Sequence, residues 1–191
     1  MHDDTSSRQF FEAKYADTED PWSFASSPYE LDRYAAILES LSGRRYHRGF
    51  EPGCSVGVLT EQLAAICEHL EAIDISSIAA DRAKTRCKHC DHVNIHQGAL
   101  PEDIPEGTFD LIVLSEVGYY FEPKILAKLA DSLVSRLAPE GVLLAAHWRG
   151  NSDDHKLTAE DVHYALHLTR GLKSTFSARH PGFLLDRWAR L

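Results

Sequence analysis

The chain has 191 residues, 43% hydrophobic and 26% charged, which suits one α/β domain with a full core. Its net charge of −9 argues against a protein that coats nucleic acid, because phosphate binding needs a basic surface. No apolar stretch approaches a membrane span and the start Met1-His2-Asp3-Asp4 is unlike a signal peptide, so the cytoplasm is the expected location.

Residues 1–30 are polar and aromatic with little periodicity. Tyr34, Ile37, Leu38 and Leu41 then fall at i, i+3, i+4, i+7 and predict a helix ending at Gly43. A strand near 46–51 leads through Glu51-Pro52-Gly53-Cys54-Ser55-Val56-Gly57 into a helix with Leu59, Leu63 and Ile66 on its apolar face. Leu70–Ile75 reads as a second strand with Asp74 at its end, followed by a helical stretch 77–87 and a short strand Val93–His96. Phe109–Ser115 is a nearly continuous apolar run, as a strand buried on both faces requires. The helix 122–137 carries Leu126, Leu129, Leu133 and Leu137, and Pro139-Glu140-Gly141 turns it into the strand Val142–Trp148. Thr158 with Asp161 gives a capping-box-like start to a helix through about Leu168. The segment 172–190 reads as two strands joined at His180-Pro181-Gly182. This alternation predicts a mostly parallel sheet with helices on both faces and an antiparallel C-terminal hairpin.

The glycine turn carries the chemistry. It leaves a strand and enters a helix, where backbone N–H groups and a helix N-terminus face a ligand. Asp74, seventeen residues beyond Gly57, is suited to accept hydrogen bonds from both hydroxyls of a ribose. A nucleoside-bearing cofactor is implied. A nucleotide-dependent oxidoreductase would require G-x-G-x-x-G, which is missing here. The order Glu51-x-Gly53-x-Ser55-x-Gly57 resembles motif I of the class I S-adenosylmethionine (SAM)-dependent methyltransferases, acid-x-Gly-x-Gly-x-Gly. Ser55 stands where the middle glycine would, at a place where positive φ is less comfortable.

Further segments resemble the same family. Gly107-Thr108-Phe109-Asp110-Leu111-Ile112-Val113 is similar to its fourth strand, and Ser115-Glu116-Val117-Gly118-Tyr119-Tyr120 to the motif lining the cofactor's reacting face. Leu137-Ala138-Pro139-Glu140-Gly141 is similar to the turn entering the fifth strand. Asp20-Pro21-Trp22, then Pro28-Tyr29-Glu30-Leu31-Asp32-Arg33-Tyr34, resembles the NodS-like methyltransferases, related to the rhizobial nodulation N-methyltransferase. The resemblance implies one methyltransferase domain over 1–191 with a seven-stranded Rossmann-like sheet. Its parts are a lid and helix (1–42), a SAM-binding core (43–150), and a C-terminal helix with closing hairpin (151–191).

It also implies SAM as cofactor, S-adenosylhomocysteine (SAH) as product, and a small-molecule acceptor bearing an amine, as on an amino sugar. An O-methyltransferase and a SAM-binding module without turnover are the alternatives. The implied cofactor contacts are Glu51, Gly53, Ser55, Gly57, Asp74, Ile75, Ala99, Leu100 and Ser115, with Trp22 and Arg33 from the lid. Arg33 would meet the SAM carboxylate, and Asp74 either the ribose or the helix opening at Ser76. Where many members carry an acid after the third strand, this chain reads Gln97-Gly98-Ala99-Leu100. Adenine would then rest on backbone groups of Ala99 and Leu100, or on Glu102 or Asp103. The catalytic candidates are Glu116, Tyr119 and His147, the last as proton acceptor or as an ordinary hydrogen-bonded histidine. Cys87-x-x-Cys90 with His89 and His92, and the trio His155, His163 and His167, do not make a complete metal site by spacing. The sequence leaves oligomeric state open.

Overall fold

Strand β4 (Phe109–Ser115) explains the layering of the molecule. Leu111 and Val113 point into one core and Ile112 and Leu114 into another, and all four are buried. A strand enclosed on both faces needs apolar residues at consecutive positions, which its sequence supplies. The computed structural model describes residues 8–191. The first seven positions of the expected 1–42 lid segment lie outside the described residues.

The other elements follow in order. They are α1 (Arg8–Asp17), α2 (Pro28–Ser40), β1 (Tyr46–Pro52), α3 (Val58–Ala64), β2 (Cys67–Asp74), α4 (Ser77–Arg86) and β3 (Val93–Gln97). After β4 come a 3₁₀ turn (Gly118–Tyr120), α5 (Pro123–Arg136), β5 (Leu137–Trp148), α6 (Ala159–Leu168), β6 (Leu172–Arg179) and β7 (Phe183–Arg190). The sheet order is β3-β2-β1-β4-β5-β7-β6. Strands β1 to β5 pair in parallel, whereas β7 runs antiparallel to both β5 and β6. This is the seven-stranded, mostly parallel sheet with an antiparallel hairpin that the sequence predicts.

The chain builds outward from β1 to β3 and then returns to lay β4 against β1. That reversal opens a crevice beyond the carboxyl ends of β1 and β4, where open α/β sheets bind ligands. Tyr34 and Ile37 of α2 and Leu41 at its end share one core with Leu59 and Leu63 of α3. Leu126, Leu129 and Leu133 of α5 share the other with Val162 and Leu166 of α6.

Two sequence expectations shift. Residues 8–17 form a helix where the sequence shows no periodicity, because Phe11 and Tyr15 line a cavity instead of forming one apolar stripe. The turn at Pro139-Glu140-Gly141 lies inside β5, as a register shift between the pairs Phe109–Leu137 and Leu111–Val142. The α6 capping box forms as its sequence requires, with Thr158 Oγ1 accepting from Asp161 N–H at 3.1 Å. Among the described residues no helix is long and apolar enough to cross a membrane.

Because Ile112 is fully enclosed in the middle of the sheet, Ile112→Ala is expected to cost about 2–5 kcal/mol of stability. Urea denaturation checks this, and a loss near zero would mean that the core collapses around the cavity.

Candidate active site

The glycine loop is strained where it must be tight. Gly53 and Gly57 have φ of 75° and 81°; a Cβ would lie 2.2 Å from Val117 Cγ2 in the first case and 2.9 Å from Ala83 Cα in the second. Ser55 also has positive φ, at 50°. Two contacts hold it there: its N–H donates to Asp74 Oδ2 at 2.8 Å, and its hydroxyl accepts from Tyr15 at 2.6 Å. Asp74 Oδ1 accepts from Ser76 N–H at 2.9 Å, so this carboxylate ties the loop to the start of α4. Burial pushes its pKa up to about 6, against the pull of those two N–H groups.

Helix α1 is fastened over the same crevice. Glu12 accepts from Ser77 N–H at 2.8 Å and from the hydroxyls of Ser76 at 2.9 Å and Ser77 at 2.8 Å. This carboxylate caps α4 from outside, a position where the helix dipole favours negative charge. Aromatic rings continue the cover. Trp22 packs edge-on to Tyr15 and stacks with Phe24, and Phe11 meets Tyr120 edge to face.

A buried ion cluster joins α2 to the sheet. Arg33 is 1% exposed and pairs with Glu30, with Glu116 at 2.5 Å and with Ser115 Oγ at 3.4 Å. Glu116, at φ 59°, also accepts from Trp148 N–H at 2.7 Å and from the Tyr119 hydroxyl at 2.6 Å. Burial, reinforced by Glu116, holds the Tyr119 pKa well above the ordinary phenol value, so this hydroxyl remains a donor. Burial also raises Glu30 to about 7, although Arg33 opposes the shift.

These elements enclose a cavity of about 450 Å³. Of the expected site residues, Trp22, Gly53, Ser55, Asp74, Ile75, Leu100, Glu116 and Tyr119 line it. Arg33, Glu51 and Ser115 line a smaller neighbouring cavity that shares Gly53, Ser55 and Glu116 with the first. Glu51 is buried with Oε2 lacking a partner, and burial pushes its pKa up to about 8.

Three expected residues stand elsewhere. Gly57 opens α3 and packs on Ala83, off both walls. The Ala99 N–H is taken by Asp103 at 2.8 Å, and its neighbours Gly98 and Leu100 reach the wall instead. His147, expected as a proton acceptor, is 0% exposed behind the wall, with its ring nitrogens at Gly118 N–H and His163. The ring thus lies behind the cavity wall and not on it, in the place of an ordinary hydrogen-bonded histidine.

Several wall residues escaped the sequence reading, among them Phe11, Tyr15, Tyr29, Glu30, Asp154 and His155. His155 stacks on Tyr119 with ring centres 3.7 Å apart, and burial lowers its pKa. The sequence marked His155 only as one of three histidines; the loop that folds it inward has no periodic signature. The other histidines part company: His163 is buried and His167 is exposed. His92 bonds the carbonyl of Ala64 and His89 sits beside Glu61. Among the described residues no group of three or more His, Cys, Asp or Glu is placed to hold a metal ion.

Sheet order, strained glycine loop and capping aspartate together define the seven-stranded methyltransferase fold. The Nodulation protein S (NodS) family profile matches residues 4–167, and the chain belongs to that family. Nodulation protein S of Sinorhizobium fredii is 37% identical over 125 residues, covering 64% of this chain and 58% of the relative. That of Bradyrhizobium diazoefficiens is 34% identical over 128 residues, covering 66% and 61%. The chain thus spans about three-fifths of the length of these two relatives. The crystal structure of N-methyltransferase NodS from Bradyrhizobium japonicum WM9 in complex with SAH superposes with a TM-score of 0.85. It is 30% identical and covers 98% of this chain and 99% of that one.

The raised carboxyls make stability fall with pH. Glu51 has an ordinary value of 4.5 and a folded value of about 8, so the native state holds its proton between those limits. Its contribution is full below pH 4.5 and is lost as pH rises through 8; Glu30 and Asp74 act with the same sign at about 7 and 6. Tm is therefore expected to drop by several degrees from pH 6 to pH 8.5, on a scale of about 2–4 °C per kcal/mol. Glu51→Gln should flatten the part above pH 7. Thermal melts across that range check it, and an unchanged slope in the variant would contradict the assignment to Glu51.

Proposed function

We propose that this chain is a SAM-dependent methyltransferase acting in the cytoplasm on the amine of a small molecule, as on an amino sugar. The charge of the cavity wall carries the acceptor reading. Glu30, Asp74, Glu116 and Asp154 contribute carboxyl groups against the guanidinium of Arg33, which pairs with Glu30 and Glu116 from the adjoining cavity. Among the described residues no lysine or arginine lines the cavity itself, so the wall keeps an excess of acid. Such a wall attracts a protonated amine and repels phosphate or carboxylate acceptors.

The residues present fit the cofactor. Each Asp74 oxygen uses one lone pair on a backbone N–H and keeps another for a ribose hydroxyl. Glu51, with an unpartnered buried oxygen at the smaller cavity, suits the ammonium of the cofactor's methionine part. Arg33 lines the same space, and its Nε, also unpartnered, suits the carboxylate. Trp22, Ile75 and Leu100 offer apolar surface to the adenosine, while Gly53 and Ser55 let the chain come close.

When bound, SAM supplies a methyl group already activated on a sulfonium. The chain's own work is therefore alignment and exclusion of water. Tyr119 and Trp148 N–H fix Glu116, and Tyr119 in turn supports the His155 ring. His155 at the cavity wall, kept neutral by burial, would accept a proton from the acceptor ammonium and pass it to solvent, leaving the amine as the free base. Helix α1 and its aromatic rings form a lid that opens for exchange, its closed position held by Glu12 and Tyr15.

Labelled SAM with glucosamine, other small amines, hydroxylated compounds and RNA tests the reading directly. Label is expected in amines, at a rate that rises with pH and then levels as the free base forms. Asp74→Ala should weaken SAH binding at least tenfold by calorimetry, since a bond to a charged acceptor is worth about 1.5–3 kcal/mol. Label confined to hydroxyls, RNA or protein would overturn the acceptor. Thermal stabilisation by NADH without stabilisation by SAM would overturn the cofactor.

A further inference from the structure

Behind the cavity wall, two buried histidines and the half-buried Asp186 line up on one backbone N–H. Gly118 N–H lies 3.0 Å from His147 Nε2, and His147 Nδ1 lies 3.1 Å from His163 Nε2. His163 Nδ1 lies 2.5 Å from Asp186 Oδ2. The direction of this chain is forced. A backbone N–H only donates, so His147 Nε2 must accept and its proton resides on Nδ1. That proton points at His163 Nε2, which must accept in turn, leaving the His163 proton on Nδ1 towards Asp186. A proton added to either histidine would set one donor against another. Burial, reinforced by His163, holds the His147 pKa well below the ordinary imidazole value, consistent with a neutral ring.

Gly118 opens the 3₁₀ turn whose Tyr119 and Tyr120 line the cavity. A Cβ at Gly118 would lie 2.5 Å from Val162 Cγ1 and 2.9 Å from His147 Nε2, so only glycine lets β5 and α6 approach this closely. The turn is therefore held at two points. Glu116 anchors its Tyr119 hydroxyl, and His147 anchors its first N–H from behind. We propose that Asp186, His163 and His147 form a positioning relay that fixes this turn, and with it the Tyr119–His155 stack. His163 and Asp186 sit on α6 and β7, so the C-terminal hairpin sets the geometry of the acceptor wall. The kinetic consequence rests on the methyltransferase reading; the tautomers and the anchoring do not.

Nitrogen-15 NMR of the histidine rings tests the relay without an acceptor. Both His147 and His163 are expected as neutral Nδ1–H tautomers at pH 7.5, assigned by loss of signal in His147→Gln and His163→Gln. An Nε2–H tautomer or a doubly protonated ring at either position would overturn the direction derived above. Hydrogen exchange of the Gly118 amide tests the anchor. His147→Leu should raise its exchange at least 100-fold while β1 and β4 amides stay protected, and His147→Gln, which restores an acceptor oxygen, should recover most of the protection. Equal exchange in both variants would overturn the anchoring.

With glucosamine as acceptor, His147→Leu should lower kcat at least tenfold and leave KM for SAM within twofold, while His147→Gln retains at least a third of kcat. A loss expressed in the KM for SAM, or no difference between the two variants, would overturn the positioning role. Failure of wild type to methylate glucosamine would count against the acceptor reading alone, with NMR and exchange still deciding the relay.

Discussion

The carboxylate of Glu116 is the contact on which the rest of the site depends. Arg33 reaches it from α2, Tyr119 from the 3₁₀ turn and Trp148 N–H from the end of β5. Helix α2, the 3₁₀ turn and the sheet therefore share one anchor. The cluster is a poor source of net stability, since a guanidinium and two carboxylates leave water to form it. Its value lies in registry, because removing one member strands the others; such breaks typically cost about 3–5 kcal/mol.

Backbone strain occurs in the same region. Ser55 and Glu116, two of the four non-glycine residues with positive φ among the described residues, lie beyond the carboxyl ends of β1 and β4 at the crevice. Conformations of this kind cost about 1–3 kcal/mol and survive only where neighbours determine them fully. Ser55 is fixed by Asp74 and Tyr15, and Glu116 by its three donors. Strain at both positions is thus offset by contacts that also shape the two ends of the cavity. The crevice itself follows from sheet order, since β4 returns to β1 only after β3 is laid down.

Much of this was legible in the residues. Apolar patterning located β4 and α5 almost to the residue, because each buries a continuous or helically spaced apolar face, and the capping box at Thr158 and Asp161 located α6. The glycine loop and Asp74 were legible because their chemistry constrains residue type. The roof was not: α1 turns aromatic rings towards a cavity, so its apolar positions follow the ligand space instead of a helical stripe. His147 illustrates a different limit. Its place at the end of β5 was correct, but alternation along a strand does not reveal whether a ring meets the cavity or the packing behind it. His155 and Glu30 reach the wall through tertiary contacts between distant segments, which no local spacing encodes.

A double-mutant cycle between Arg33→Met and Glu116→Gln, read as SAH affinity by calorimetry, tests the shared anchor most directly. Neither substitution removes a residue from the loop at Gly53 or from Asp74, so independent effects would add within about 0.3–0.5 kcal/mol. A coupling energy above about 1 kcal/mol is the result expected if the pair acts as one unit joining α2 to the sheet. Strict additivity, with both variants folded, would contradict the central role given to Glu116.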